Sequence, residues 1–383
     1  MRILVLLVML LGTQFLFGDD NKFAVGACKP KLKSFTTIQT AVSGVPPGST
    51  VLVCPGTYFE QVTISQSLTL QGIADSNSDE VIIAIPSGGP RANVTSIFNE
   101  SVSAQVLVQT TGEVDISNIT TDGTGGDSAC VNWLVGIFYS SGSSGSVSRV
   151  RTRNQIDGGC GVGIWAENGS TSRDHVSVQG SSVHDADIGG IFLGTQGTSV
   201  LNVDIRDNFV SPNSLSAIDI VAEGVTGEVS DNDLSAALGG IFELAPGLDI
   251  SANGIIAADN GLVLLAPVTV RSNDIMNSGV GVAIAAPGST LQSNRITQSS
   301  TAIEFSCLAT NGDHNTINDA GVGLSDVPAS FSGTNNIANT TTVSTVCLAA
   351  AAVSPQFSAA PLATMGSPYL QWRTPANPKG SRP

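Results

Sequence analysis

A short acidic segment around one histidine carries the residue types needed for proton transfer. His184, Asp185 and Asp187 lie close together in the chain, and Asp157 lies one expected repeat before His184. A carboxylate can orient an imidazole, and a second carboxyl group can give or take a proton at a reacting atom. These four residues are the candidate catalytic group if the protein is an enzyme. Turn aspartates and histidines are also common as solvated surface residues, and that interpretation stays open.

Three aromatic residues recur at one constant interval and suggest a ligand platform. Phe138, Trp165 and Phe192 are evenly spaced, and each follows a glycine and an isoleucine. The isoleucine before each ring is expected to point inward, so strand alternation directs the rings outward. Outward rings beside guanidinium groups would suit the flat faces and hydroxyls of a sugar, unless inserted loops cover them. The neighbouring basic residues are Arg149, Arg151 and Arg153.

A recurring asparagine indicates the elements that hold these residues. The positions, at nearly constant intervals, are Asn208, Asn232, Asn253, Asn273, Asn294 and Asn315, with Asn336 next. Apolar pairs with the alternating period of a strand follow them, and strands that recur without intervening helices stack as solenoid coils. The predicted fold class is an all-β, right-handed, single-stranded parallel β-helix. The asparagines are expected to be structural, because they tolerate left-handed turns and their amides can bond along the axis.

The early coils are longer than the later ones. The evenly spaced positions Gly136, Gly163, Gly190 and Ala217 lie further apart than the equivalent positions of the later coils, such as Gly261, Gly281 and Ala302. Insertions in a solenoid emerge as loops on one face, which is frequently the binding face. We therefore expect the functional surface between about residues 122 and 222.

Residues 35–72, FTTIQTAVSGVPPGSTVLVCPGTYFEQVTISQSLTLQG, resemble the opening of pectin-lyase-like β-helix proteins. The resemblance implies the fold, with a short capping helix over residues 35–45 whose buried stripe is Phe35, Ile38 and Val42. It does not transfer an activity. No Gly-His-Gly turn of the hydrolases occurs, the RVRTR segment does not match the lyases, and Val183-His184-Asp185 matches the Asp-Pro-His-Asp of alginate epimerases only in part.

The ends of the chain differ from its body. Residues 1–18 resemble a signal peptide, with one positive charge and an apolar run that is short for a membrane span. The β-helix is expected over 19–351, with coils over 51–351, and a loosely ordered tail over 352–383. The mature protein should be secreted, periplasmic or at the cell surface, without a membrane span, and monomeric.

Six cysteines in an exported chain predict disulfides. Sequential pairing is the simplest arrangement, with Cys28–Cys54, Cys130–Cys160 and Cys307–Cys347 as the pairs. The last pair is the weakest, because two coils separate its members by roughly 10 Å. The spacing fits no zinc site, so we expect no bound metal and no required cofactor, although loop carboxylates would suit calcium.

A net charge of −15 makes nucleic acid an unsuitable partner. Three functions stay open: a polysaccharide- or cell-surface-glycan-binding protein, a polysaccharide lyase, epimerase or hydrolase that uses Asp157, His184 and Asp187, and a structural or adhesive surface protein. The rings and enlarged loops favour the first.

Overall fold

The computed structural model describes residues 21–73, 78–126, 129–212, 215–257 and 259–347. The predicted signal peptide and C-terminal tail lie outside these residues. Within them the chain winds through three sheets whose neighbouring strands pair in parallel, coil upon coil. The predicted all-β parallel β-helix is confirmed.

The three sheets form the sides of the solenoid. Sheet 1 consists of Ser34–Phe35, Lys22–Val25, Ser49–Val53, Leu68–Gly72, Glu113–Ser117, Ser144–Ser148, Arg173–Gln179, Val200–Arg206, Val225–Ser230, Asp249–Ser251, Thr269–Arg271, Thr290–Gln292 and Asn311–Asp313. Sheet 2 consists of Gly56–Phe59, Val81–Ala84, Thr120–Asp122, Arg151–Gln155, Ser182–Ala186, Phe209–Ser211, Asp233–Ala236, Gly254–Ala257, Asp274–Met276, Arg295–Thr297, Thr316–Asn318 and Asn336–Ala338. Sheet 3 consists of Val62–Ile64, Ser101–Val108, Trp133–Tyr139, Gly161–Asn168, Gly189–Thr195, Ser216–Ile220, Gly239–Glu243, Asn260–Leu264, Val280–Ile284, Thr301–Glu304, Val322–Val327 and Thr342–Val346, with Val94–Thr95 added in antiparallel pairing.

One short helix, Ile38–Gly44, covers the N-terminal end of the coils, and a single 3₁₀ turn spans Ser78–Glu80. The side chain of Thr37 caps the helix by accepting a hydrogen bond from the backbone of Thr40, and the carboxylate of Glu60 accepts from the first helical amides. Ile38 and Val42 are buried as predicted, and Phe35 packs against the core while partly exposed. Within the described residues no helix is long and apolar enough to cross a membrane.

The interior consists of columns of apolar side chains in register. On sheet 3, Ile137, Ile164 and Ile191 stack directly and are fully buried. Burial of one such side chain contributes about 1.5–3 kcal/mol, so the repeated column stabilises each coil on its neighbour. The small residue before each isoleucine is required by space, because a Cβ on Gly163 would lie 2.3 Å from a methyl of Val183.

The asparagine column forms a buried ladder between sheets 1 and 2. The amide of Asn208 donates to the side-chain oxygen of Asn232, and the same contact repeats with Nδ2–Oδ1 distances of 2.9–3.0 Å along the column. Its structural role is confirmed, with two differences from the expectation. The last acceptor is Asn335, since Asn336 begins a strand. The left-handed conformation belongs to the residue before each asparagine, such as Asp207 with φ 56°.

All three predicted disulfides are present, with Cα–Cα distances of 5.7, 5.4 and 5.7 Å. The pair Cys307–Cys347 closes despite the two-coil separation, because both residues turn toward the strand Val322–Val327 that lies between them. Cys307 N–H donates to Asp326 and Cys347 N–H donates to Val327. The two cysteines therefore come within disulfide range, at a Cα–Cα distance of 5.7 Å, although they belong to coils two repeats apart.

Candidate functional site

The residues selected from the sequence lie on two different faces of the solenoid. The three rings lie on the outer face of sheet 3, whereas Arg151, Arg153 and His184 lie on sheet 2. The single surface expected from the sequence is thus divided in two.

The predicted aromatic platform is not exposed. Phe138, Trp165 and Phe192 point outward and stack in register as expected, but their exposed fractions are 0%, 0% and 1%. A hairpin over residues 93–102, here called the cover hairpin, lies across them and places the ring of Phe98 6.3 Å from that of Trp165. The expectation that these rings are exposed is wrong, because an insertion packs against them, and substrate binding by the three rings stays a prediction.

Sheet 2 carries a network of ion pairs, here called the sheet 2 network. Asp79 pairs with both Arg151 and Arg153, and the Nε of Arg153 lies 2.8 Å from Oδ2 of Asp122. The hydroxyl of Thr120 also donates to Asp79. The guanidinium groups keep 34% and 23% of their side-chain surface exposed, so they are held in place while still reaching solvent.

Asp122 is the electrostatic centre of this network. Its partial burial would raise its pKa, but hydrogen bonds from Asn154, Thr124 and Arg153 outweigh burial and lower the pKa to about 2. Asp122 is therefore ionised at every physiological pH and orients Arg153 permanently.

His184 lies beside this network rather than beside Asp157. Its direct register partners are Arg153 and Ser211, and its Nδ1 lies 2.6 Å from Oδ2 of Asp185. An aspartate that holds Nδ1 fixes the ring and directs Nε2 elsewhere. The structure thus brings together two of the four candidate catalytic residues.

The other two candidates form a separate structural contact. Asp157 is 2% exposed, and the carboxylate of Asp187 accepts hydrogen bonds from the backbone N–H groups of Asp157 and Gly159 at 2.5 and 3.0 Å. The expected stacking of Asp157 on His184 is wrong. In these coils, paired residues on sheet 2, such as Arg153 and His184, are separated by more residues along the chain than paired residues on sheet 3, such as Trp165 and Phe192. The difference arises because the loop at residues 156–160, which joins sheet 2 to sheet 3, is longer than the corresponding loop of the next coil.

Arg149 is also separate from the network. It occupies a turn with φ 51°, and its Nε donates to Asn118 at 3.0 Å. Of the three candidate arginines, the structure therefore unites Arg151 and Arg153 only.

Sequence reasoning missed three residues of this face. Asp122 is the register partner of Arg153 in the preceding coil, so the sheet 2 spacing would have found it. Asp79 comes from an aperiodic 3₁₀ turn, for which the sequence offers no signal. Phe209 is an exposed ring, with 48% of its surface accessible, on the strand next to His184.

The described part of the chain contains no cluster of three or more histidine, cysteine, aspartate or glutamate side chains arranged to hold a metal ion. The side chains described on sheet 2 offer hydrogen bonding, charge pairing and ring stacking, with one oriented imidazole. Such groups recognise hydroxyl-rich ligands.

No protein-family model matches the sequence, and no curated protein matches it at the sequence level. Among solved structures, the fold is similar to the A-module of the mannuronan C-5 epimerase AlgE4 of Azotobacter vinelandii, with a TM-score of 0.58 and 17% identity over 81% of this chain and 92% of that chain. It is also similar to a double mutant of the periplasmic alginate epimerase AlgG, with a TM-score of 0.53 and 12% identity over 80% and 84%. DFA-IIIase from Arthrobacter chlorophenolicus A6 has a TM-score of 0.52 and 14% identity over 82% and 87%. At these identities the similarity establishes the right-handed parallel β-helix, pectin-lyase-like fold.

Proposed function

We propose that the protein is exported and binds a polysaccharide on the outer face of sheet 2, around the strands Arg151–Gln155, Ser182–Ala186 and Phe209–Ser211. The observation that carries this proposal is the adjacency of Arg153 and His184, beside the exposed ring of Phe209. Donors, acceptors and an aromatic face repeat here at one strand spacing, about 4.8 Å.

The ion pairs of the sheet 2 network favour binding over a passive surface. Asp79 and Asp122 immobilise two arginines before a ligand arrives, so less side-chain entropy is lost when hydroxyl or carboxylate groups of a glycan bind. Three disulfides support an oxidising compartment. Proteins of similar fold named as alginate epimerases support a polysaccharide as the ligand class.

The test is co-elution of the protein with uronic-acid and neutral polysaccharides in size-exclusion chromatography. Phe209→Ala should weaken binding of the polysaccharide that co-elutes, whereas Ile256→Ala, which removes an apolar side chain 41% exposed on the same sheet, should not. Equal effects of the two variants would contradict binding on this part of sheet 2. Absence of co-elution would favour a structural or adhesive protein.

A second candidate function, catalysis on the same polysaccharide, is favoured by the hydrogen bond between His184 and Asp185. An imidazole oriented in this way can act as a general acid or base. His314→Ala provides a matched control, because His314 also contacts a neighbouring aspartate, Asp313, at 2.8 Å. If the protein is an enzyme of this type, His184→Ala abolishes polymer shortening or epimerisation while His314→Ala does not.

A further inference from the structure

The cover hairpin places one phenyl ring in a slot on sheet 3. The ring of Phe98 lies 6.3 Å from that of Trp165 and 6.0 Å from that of Phe192, in a nearly perpendicular arrangement with the latter. Its floor is Gly194, where an added Cβ would lie 2.6 Å from the Phe98 ring. The slot is therefore shaped around a single flat ring.

The slot also contains polar groups that a purely apolar core does not need. Glu167 is 2% exposed, and Trp165, whose indole carries an N–H group, is fully buried. The indole of Trp165 interacts with the carboxyl group of Glu167, but neither Nε1 of Trp165 nor Oε2 of Glu167 makes a hydrogen bond of normal geometry within the described chain. A buried polar group without a good hydrogen bond costs about 1–3 kcal/mol, so packing alone does not account for these groups.

Few polar contacts attach the tip of the cover hairpin, residues 96–100, to the body of the solenoid. The N–H of Ile97 donates to Oε1 of Glu167 at 3.0 Å, and the indole N–H of Trp133 donates to Glu100 at 3.1 Å. Other hydrogen bonds of the tip run within the hairpin, such as those to the side chain of Ser96. The tip can therefore lift without breaking a strand of the solenoid.

We propose that this slot is a second, covered glycan site, in which one neutral pyranose unit takes the place of the Phe98 ring when the cover hairpin lifts. A pyranose ring is close in size to a phenyl ring and stacks on Trp165. Its hydroxyl groups bond to Glu167 and to the indole N–H. The buried apolar walls of the slot disfavour a charged uronate.

The site rests on the proposed function for its ligand class, but it uses a different sheet and different residues. Burial raises the pKa of Glu167 to about 8, so this carboxyl is protonated at neutral pH and donates as well as accepts a hydrogen bond. That state also keeps the closed slot free of one buried negative charge.

The experiment is isothermal titration of the full chain at pH 7 with β-1,4-linked hexasaccharides of glucose, mannose and galactose, and with hexamannuronate for comparison. When the competent state is a minor one, removal of the plug raises the apparent affinity by the inverse of its population, about 10- to 1,000-fold. Phe98→Ala should therefore tighten binding of at least one neutral hexasaccharide at least tenfold. Phe331→Ala removes a ring packed on Phe305 at 4.9 Å and should change nothing.

A folded Phe98→Ala protein without this gain overturns the proposal. If that variant does not fold, the double variant Ile97→Cys/Gly169→Cys gives the answer, because a Cβ on Gly169 lies 3.5 Å from Cβ of Ile97, within disulfide range. Binding of a neutral hexasaccharide should then be lost in the oxidised form and return after mild reduction, with the native disulfides checked by peptide mapping. Equal binding by both forms overturns the proposal. The two sites are distinguished if Arg153→Gln loses polysaccharide binding on sheet 2 while Phe98→Ala still binds a neutral hexasaccharide more tightly than the native protein.

Discussion

Arg153 and His184 are direct register partners on neighbouring strands of sheet 2. One side chain is anchored by Asp79 and Asp122, and the other by Asp185. Because the anchors are carboxylates on both sides, the guanidinium and imidazole are positioned by the protein before any ligand arrives. This preorganisation distinguishes the pair from the exposed ion pair of Arg295 with Asp274 on the same sheet.

The lowered pKa of Asp122 predicts an acid-sensitive contribution to stability. Its pKa is about 2 in the folded protein and near 3.9 unfolded, so its ionised form stabilises the fold above about pH 4, and this contribution is lost as the pH falls toward 2. Partial exposure screens the effect, and we expect Asp122→Asn to cost about 1 kcal/mol at pH 7. Urea unfolding from pH 7 to pH 2 should show the two proteins converging, with Asp274→Asn as the control. A pH-independent difference would contradict this assignment.

Much of the fold follows from the sequence, and so do Arg151, Arg153 and His184 of the sheet 2 face. The constant spacing of sheet 3 strand starts correctly stacks Phe138, Trp165 and Phe192, but sheet 2 has its own register, set by the length of the loop at 156–160. Transferring one spacing to the other sheet misplaced Asp157. The cover hairpin and Asp79 occur once each, and a segment without a repeat has no periodic signal from which to infer its packing.

Glu243 predicts the opposite pH dependence. It lies inside the solenoid, in register with Ile220 and Leu264, and burial raises its pKa to about 8. A folded pKa above the unfolded value of about 4.3 means that stability falls as pH rises between these values and is constant above them. Glu243→Leu should make that decline less steep, leaving the part that Glu167 contributes, and should be about 2–5 kcal/mol more stable at pH 8. Thermal unfolding of both proteins between pH 4 and pH 9 measures this change in stability. Glu228→Gln, on the exposed face of sheet 1, controls for removal of a negative charge. A decline as steep in Glu243→Leu as in the native protein would contradict the assignment to Glu243.

Asn253→Ala should strongly destabilise the middle coils. The substitution removes the amide that donates to Val229 and to Asn273, and the oxygen that accepts from Asn232. Unpaired buried groups left on the neighbouring coils predict a loss of about 3 kcal/mol in the free energy of unfolding. Asn260→Ala, on the partly exposed outer face of sheet 3, should cost under about 1 kcal/mol. Similar losses in guanidinium unfolding would show that the ladder is not a special source of stability.

The most direct measurement for the central claim is the dissociation constant of Arg153→Gln and Arg295→Gln for the polysaccharide that co-elutes with the native protein. Both variants remove one guanidinium paired with a carboxylate on sheet 2, at 2.8 Å in each case. Binding on the sheet 2 network predicts at least tenfold weaker affinity for Arg153→Gln and an unchanged affinity for Arg295→Gln. Equal affinities of the two folded variants would contradict it.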